Sequence, residues 1–182
     1  KSDLLDPACP TTTDINEIGI RYTVDVENGE KTGFFLDQKY NRQAIAKIAK
    51  GKKILDCFTH TGSFALNAAQ GGAAKVTAVD ISAEAVSMTA HNAKINGYDK
   101  IVKGLQANVF DLLSELADKK SREYDFIILD PPAFTKSGST VKNAIRGYKE
   151  INLKAMKLLP RGGYLATCSC SHFMKEEFFV QM

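Results

Sequence analysis

The first strand-to-helix turn of this sequence, Asp56-Cys57-Phe58-Thr59-His60-Thr61-Gly62-Ser63-Phe64, holds a single glycine. A pyrophosphate needs several glycines there so that the backbone can approach it closely, which makes a dinucleotide-dependent dehydrogenase the poorest fit. Cysteine is sparse as well. Cys9, Cys57, Cys168 and Cys170 are irregularly spaced and make no disulfide framework, and no second Cys or His pair at zinc spacing accompanies Cys168 and Cys170, so no metal site is expected. No apolar run is long enough for a signal or membrane-spanning segment, so the expected setting is reducing, cytoplasmic and away from a membrane. Charge of one sign is also lacking: a net +3 permits contact with nucleic acid without implying it. There are no internal repeats, and the only low-complexity stretch is Thr11-Thr12-Thr13. A chain of 182 residues is long enough for one well-buried domain. It begins with Lys and stops inside a helical pattern, so it is expected to be a piece of a longer protein.

Alternating elements fill most of this length. Residues 1–14 read as a polar arm. Alternation in Ile18, Ile20, Tyr22, Val24 and Val26, then Asn28-Gly29 and Phe34-Phe35, reads as a β-hairpin with its tight turn at Asn28-Gly29. Asp37 is placed to cap a helix through Lys50, with Ile45, Ile48 and Ala49 on its inner face and Gly51 as the stop. Strands follow at 53–58, 75–79, 101–106, 125–129 and 164–168, separated by helices at 63–70, 83–96, 109–119 and a long one ending at Leu159. This is the pattern of an α/β protein with a doubly wound, mostly parallel sheet. The expected division is an arm and hairpin over 1–36 and a sheet domain over 37–182.

Such sheets bind ligands outside the carboxyl ends of their strands, and Asp56, Asp80, Asn108, Asp130 and Cys170 each sit just after or at the end of a strand. Asp80 suits two ribose hydroxyls, and Asn108 offers the donor and acceptor that an adenine edge requires. Asp56 would repel a phosphate. An acidic strand end beside one glycine instead suits a ligand with an ammonium group, a sulfonium and an adenosine, which describes S-adenosylmethionine. In Asp130-Pro131-Pro132, two prolines remove two amide donors and leave carbonyls and a carboxylate for a flat base with an exocyclic amine. Phe134 can stack on that base or pack under the loop. Either Cys168 or Cys170 could be a nucleophile, and spacing does not choose between them.

Taken together, Thr32-Gly33-Phe34-Phe35-Leu36-Asp37-Gln38, the Asp56-to-Phe64 turn, Val79-Asp80, Asn108-Val109-Phe110, Asp130-Pro131-Pro132-Ala133-Phe134, Arg146-Gly147-Tyr148-Lys149-Glu150-Ile151-Asn152 and Ser169-Cys170-Ser171 are a specific set. From about Lys31 to Met174 the chain resembles the class I S-adenosylmethionine-dependent ribosomal RNA methyltransferases, most closely the large-subunit cytosine-5 group. The resemblance implies a Rossmann-like fold with S-adenosylmethionine as cofactor. It implies Asp56, Phe58, Thr59 and Gly62 at the methionine end, Asp80 at the ribose, Asn108 at the adenine and Gln38 from the side, with Ile81 and Pro131 also in the cofactor-binding set. Asn108 stands where the group usually has Asp. Cys170, the middle of Ser-Cys-Ser, is implied as the nucleophile and Asp130 as the residue that holds the base.

Carbon 5 of cytosine is too weak a nucleophile to take a methyl group until a thiolate adds at carbon 6, which gives the cysteine its reason. The implied partner is RNA, ribosomal in the group, with an unpaired cytosine, because a stacked base cannot enter such a pocket. The group also implies an N-terminal RNA-binding module of the PUA type, a pattern this sequence does not show. Lys136, Lys142, Arg146, Lys149 and Lys154 flank the site as candidate phosphate contacts or a solvated face. Two other readings stand beside this one: methylation of a base nitrogen, for which Cys170 is dispensable, and a non-catalytic module that binds cofactor without turnover.

Overall fold

The polar segment Thr12–Glu17 is the first strand, β1, paired antiparallel with β2 (Ile20–Asp25) so that Thr12 faces Asp25 and Glu17 faces Ile20. The tight turn is therefore Ile18-Gly19, not Asn28-Gly29. Ile18 and Gly19 have φ of 53° and 83°, the two left-handed residues that a two-residue hairpin requires. The computed structural model describes residues 10–27, 29, 33–135 and 137–182, so Asn28, with Cys9, Thr32 and Lys136, lies outside the described residues. β1 is mostly exposed and carries no apolar alternation, which is why residues 12–14 read as part of an arm.

After the hairpin come a 3-10 turn (Leu36–Gln38) and α1 (Lys39–Ile48), then β3 (Lys53–Cys57), α2 (Ser63–Gln70), β4 (Lys75–Asp80), α3 (Ala83–Ile95), β5 (Val102–Gln106), α4 (Val109–Asp118), β6 (Phe126–Leu129), a second 3-10 turn (Gly138–Thr140), α5 (Val141–Leu158), β7 (Tyr164–Thr167) and α6 (Glu176–Val180). Asp37 does not cap α1: it sits in the 3-10 turn, and the cap position, Gln38, makes no side-chain bond to the helix. Ile45 and Ala49 are buried as expected, while Ile48 turns outward and is exposed.

β3 to β7 form one parallel sheet in the order β5-β4-β3-β6-β7. Successive strand residues point to opposite faces, and the core divides accordingly. Ile54, Val76, Ala78, Phe126 and Ile128 enter a core shared with α1, α2 and the hairpin residues Ile20, Tyr22 and Val24. Leu55, Cys57, Val79, Ile127 and Leu129 enter the other, under α4 and α5. Both faces of β3 and β6 are covered, so their apolar runs are continuous. Gly71 lets α1 and α2 approach closely, since a Cβ there would lie 2.1 Å from the Ala46 carbonyl oxygen.

The hairpin docks on α3 through two amides one helical turn apart. Asn92 Oδ1 accepts from the Thr23 amide at 2.8 Å, while Asn96 accepts from the Arg21 amide at 2.9 Å and donates to the Arg21 carbonyl at 2.7 Å. One helical turn nearly matches two residues of strand, so the side chains satisfy the strand edge as a neighbouring strand would. Among the described residues no helix is long and apolar enough to cross a membrane.

Candidate active site

The strand order sets the site. Reading across the sheet from β5 to β7, the residues at the carboxyl ends are Asn108, Asp80, Asp56, Asp130 and Cys170. Sequence alone expected these five on one edge, and the topology brings them there in one row.

Asp56 shares its strand face with Ile54, so its side chain points toward α2, and it is fully buried. Oδ2 accepts from Thr59 Oγ1 at 2.6 Å and from the Ala65 amide of α2 at 3.1 Å. Asp56 thus holds the turn from beneath. Its Oδ1 is buried with no hydrogen-bond partner, as is Thr61 Oγ1. Burial is the main cause that pushes the Asp56 carboxyl up to about 7, with Asp130 and Asp80 adding like-charge repulsion against the bonds from Thr59 and Ala65. In the turn itself Phe58 and His60 have φ of 64° and 53°, and Gly62 opens α2 at 81°. A Cβ on Gly62 would meet Thr89 Cγ2 at 2.8 Å, so the glycine is required by conformation and by space. Thr89 Oγ1 donates to the His60 carbonyl at 3.1 Å and holds the strained turn from α3. Phe58 packs on the α4–α5 side of the core.

Asp80, at the end of β4, has each carboxylate oxygen bound by a backbone amide: Oδ2 by His60 at 3.0 Å and Oδ1 by Ser82 at 3.1 Å. It ties the turn after β3 to the start of α3 and remains half-buried at the sheet edge. Ile81 beside it is 67 % exposed. Asn108 is exposed and caps α4, its Oδ1 accepting from the Phe110 amide at 2.9 Å. This structural duty leaves its amide group as the donor side.

Asp130 follows β6. Gln38 Nε2 donates to its Oδ1 at 3.2 Å, and the Cys168 side chain lies close enough to act on its ionisation. Burial first, and then the Asp37 charge, raise Asp130 to about 6. Cys168 is pushed up to about 12 by burial and by the Asp130 charge beside it. Cys170 differs. It is exposed, and its thiol donates to the Pro131 carbonyl at 3.7 Å. Its neighbours pin the loop on either side: Ser169 Oγ donates to Tyr148 OH at 2.9 Å, and Ser171 Oγ donates to the Thr135 carbonyl at 3.0 Å. Tyr148 is fully buried on α5, and Pro131 is buried too. The serines therefore hold Cys170 between α5 and the Asp130-Pro131-Pro132 loop.

Phe134 packs rather than facing outward, its ring centroid 4.5 Å from that of Tyr148 and 5.7 Å from that of Phe110. Lys154 is bound to Ser114 and Glu150, whereas Lys142, Arg146 and Lys149 stand exposed on α5. Among the described residues no cluster of His, Cys, Asp and Glu is placed to hold a metal ion. Tyr148 stood in one of the motifs that carry the resemblance, but its bond to Ser169 had no signal in the sequence.

Three carboxylates make this edge acidic, and among the described residues none gives Asp56 Oδ1 a hydrogen bond. Such a donor set fits a ligand that brings a positive charge and ribose hydroxyls. Comparison with known proteins agrees. The family model for S-adenosylmethionine-dependent methyltransferases matches residues 3–181. A "Ribosomal RNA large subunit methyltransferase I" from Shewanella denitrificans is 47% identical over 177 residues, covering 97% of this chain and 44% of that protein. The one from Aeromonas salmonicida is 45% identical over 169 residues, covering 92% and 42%. The chain thus spans less than half the length of these curated relatives. Among solved structures, that of SMU.776 complexed with SAH superimposes with a TM-score of 0.81 at 27% identity, over 98% of this chain and 47% of that one.

Proposed function

The chain belongs to the S-adenosylmethionine-dependent methyltransferase family, and on that premise we propose that it methylates carbon 5 of an unpaired cytosine in large-subunit ribosomal RNA through a covalent bond to Cys170. The observation that carries this reading is the contrast between the two cysteines. Cys168 is largely buried beside the Asp130 charge and held in its thiol form, while Cys170 is exposed and positioned beside the Pro131 carbonyl. A thiol that must give up its proton and add to a base needs the second environment. The names of the curated relatives support an RNA of the large ribosomal subunit, and hence a cytoplasmic setting.

S-adenosylmethionine supplies the electrophilic methyl group and leaves as S-adenosylhomocysteine. The side chains would hold it by its parts: the turn from Phe58 through Gly62 the methionine end, Asp80 the ribose, Asn108 the adenine edge, with Ile81 and Pro131 along its flanks. Asp56 acts from below, where its charge favours a cationic ligand and its bonds keep the turn in shape.

Asp130 binds the cytosine at its ring nitrogen and exocyclic amine. The Cys170 thiol loses its proton, and the thiolate adds to carbon 6, placing electron density on carbon 5 while the ring nitrogen takes a proton. Carbon 5 then attacks the methyl group in line. A base removes the carbon 5 proton, the electron pair reforms the 5,6 double bond, the carbon 6–sulfur bond breaks to return the thiolate, and the ring nitrogen gives back the proton it took. Lys142, Arg146 and Lys149 lie on α5, the helix that anchors Ser169, and serve the RNA phosphates.

The test is transfer of a labelled methyl group from S-adenosylmethionine to unmodified large-subunit RNA, followed by digestion to nucleosides. Label in 5-methylcytidine is the expected result. Label on a base nitrogen, or cofactor binding with no transfer, would overturn it.

A further inference from the structure

The Asp130 carboxylate is gripped by an amide whose own orientation is fixed. Asn41 Nδ2 donates to Gln38 Oε1 at 2.6 Å, so the Gln38 carbonyl faces α1 and its amino group is left to turn the other way. That amino group donates to Asp130 Oδ1. Gln38 ends the 3-10 turn before α1, and this turn is itself tied down, because Arg42 Nη1 donates to the Phe35 carbonyl at 2.9 Å while the other guanidinium nitrogens bind Glu17. A continuous set of polar contacts thus runs from the hairpin to the carboxylate.

We propose that Gln38, oriented by Asn41, is the positioning residue that fixes the Asp130 carboxylate for the target base. This rests on the reading of Asp130 as the group that holds the cytosine, and it gives Gln38 a different duty from that of a cofactor ligand. Pro131 and Pro132 stiffen the backbone after Asp130 but leave its side-chain torsions free. A carboxylate that must meet both a ring nitrogen and an exocyclic amine loses much of its value when it rotates, since misplacement by about 1 Å can cost on the order of 100-fold in rate. Gln38 binds Oδ1 and leaves Oδ2 for the base.

Two variants separate the possibilities: Gln38→Leu removes the donor, and Asn41→Leu, at an exposed position, releases its orientation. The first readout needs no turnover. In carbon-13 carboxyl NMR of the whole chain, the Asp130 titration should move upward by about half to one unit in Gln38→Leu, because a donor to the charged form is lost. It should move the same way, by less, in Asn41→Leu. Affinity for S-adenosylhomocysteine by calorimetry should stay within about twofold, and kcat should fall about 10- to 100-fold with little change in the KM for cofactor. Gln38→Glu should recover activity as pH is lowered, when the protonated carboxyl can again donate to Asp130. An unmoved Asp130 titration together with cofactor affinity weakened about tenfold or more would overturn the proposal and make Gln38 a cofactor ligand. If Asp130 does not hold the base, Asp130→Asn will keep its activity while the NMR shift in Gln38→Leu persists, which distinguishes that failure from this one.

Discussion

Arg42 and Glu17 form a two-pronged ion pair, with Nε to Oε1 and Nη2 to Oε2 each at 2.7 Å, and their side chains are only 1% and 9% exposed. The pair joins the end of β1 to α1 and, through the Phe35 carbonyl, fixes the turn that carries Gln38. Breaking one side of such a pair leaves a buried charge without a partner. Glu17→Gln is therefore expected to destabilise the chain by about 3–5 kcal/mol, where replacing both residues by apolar ones of similar volume costs far less. Urea denaturation of the single and double variants checks this, with the slope unchanged if only stability is altered.

At the turn after β3, Gly62→Ala should weaken both folding and cofactor binding. The left-handed conformation and the contact with Thr89 Cγ2 together cost about 1–3 kcal/mol. Thr89→Ser removes that methyl group and keeps the hydroxyl that binds the His60 carbonyl. The double variant should recover the steric part and leave the conformational part, a coupling that a double-mutant cycle on stability and on S-adenosylhomocysteine affinity will measure.

The acidic edge predicts a pH dependence with a definite sign. Asp56 is raised from 3.8 to about 7 by burial, so the folded chain binds its proton more tightly than the unfolded chain does. Its contribution to stability is fully present below pH about 4 and lost as pH rises through about 7, a change on the order of a few kcal/mol. Asp130, raised to about 6, acts in the same direction over a narrower interval. Without cofactor, the melting temperature should therefore fall from pH 5 toward pH 8, and Asp56→Asn should flatten that slope. Cofactor affinity should run the opposite way, tightening by about two- to tenfold between pH 6 and pH 8 as the carboxylates ionise and attract the cation.

How legible this was in the sequence differs by element. The five sheet strands stood out because β3 and β6 are buried on both faces and have continuous apolar runs, and the alternation with helices marked the sheet as parallel; their order across it exists only in three dimensions. The candidate site residues came from the same pattern, since an acid or amide stands at the carboxyl end of four strands and Cys170 follows the fifth. β1 was hidden because Thr12-Thr13-Asp14-Ile15-Asn16-Glu17 is a polar strand on the surface, and Asn28-Gly29 was a stronger local turn signal than Ile18-Gly19. Arg42, Asn92 and Asn96 were hidden for the converse reason: each is a polar residue on a helix whose partner, Glu17 or the Thr23 and Arg21 backbone, is distant in sequence. The positions of Cys168 and Cys170 two residues apart on one strand end gave no choice between them, and their difference in burial and partners exists only in three dimensions.

That difference is the centre of the account. The most direct measurement incubates the chain and S-adenosylmethionine with RNA containing 5-fluorocytosine and resolves the products on a denaturing gel. Fluorine at carbon 5 cannot be removed as a proton is, so the carbon 6–sulfur bond should persist and retard the protein. The expected result is a retarded band with wild type and with Cys168→Ala, and none with Cys170→Ala. A band that survives Cys170→Ala, or methyl transfer to cytosine-containing RNA with no band at all, would contradict it.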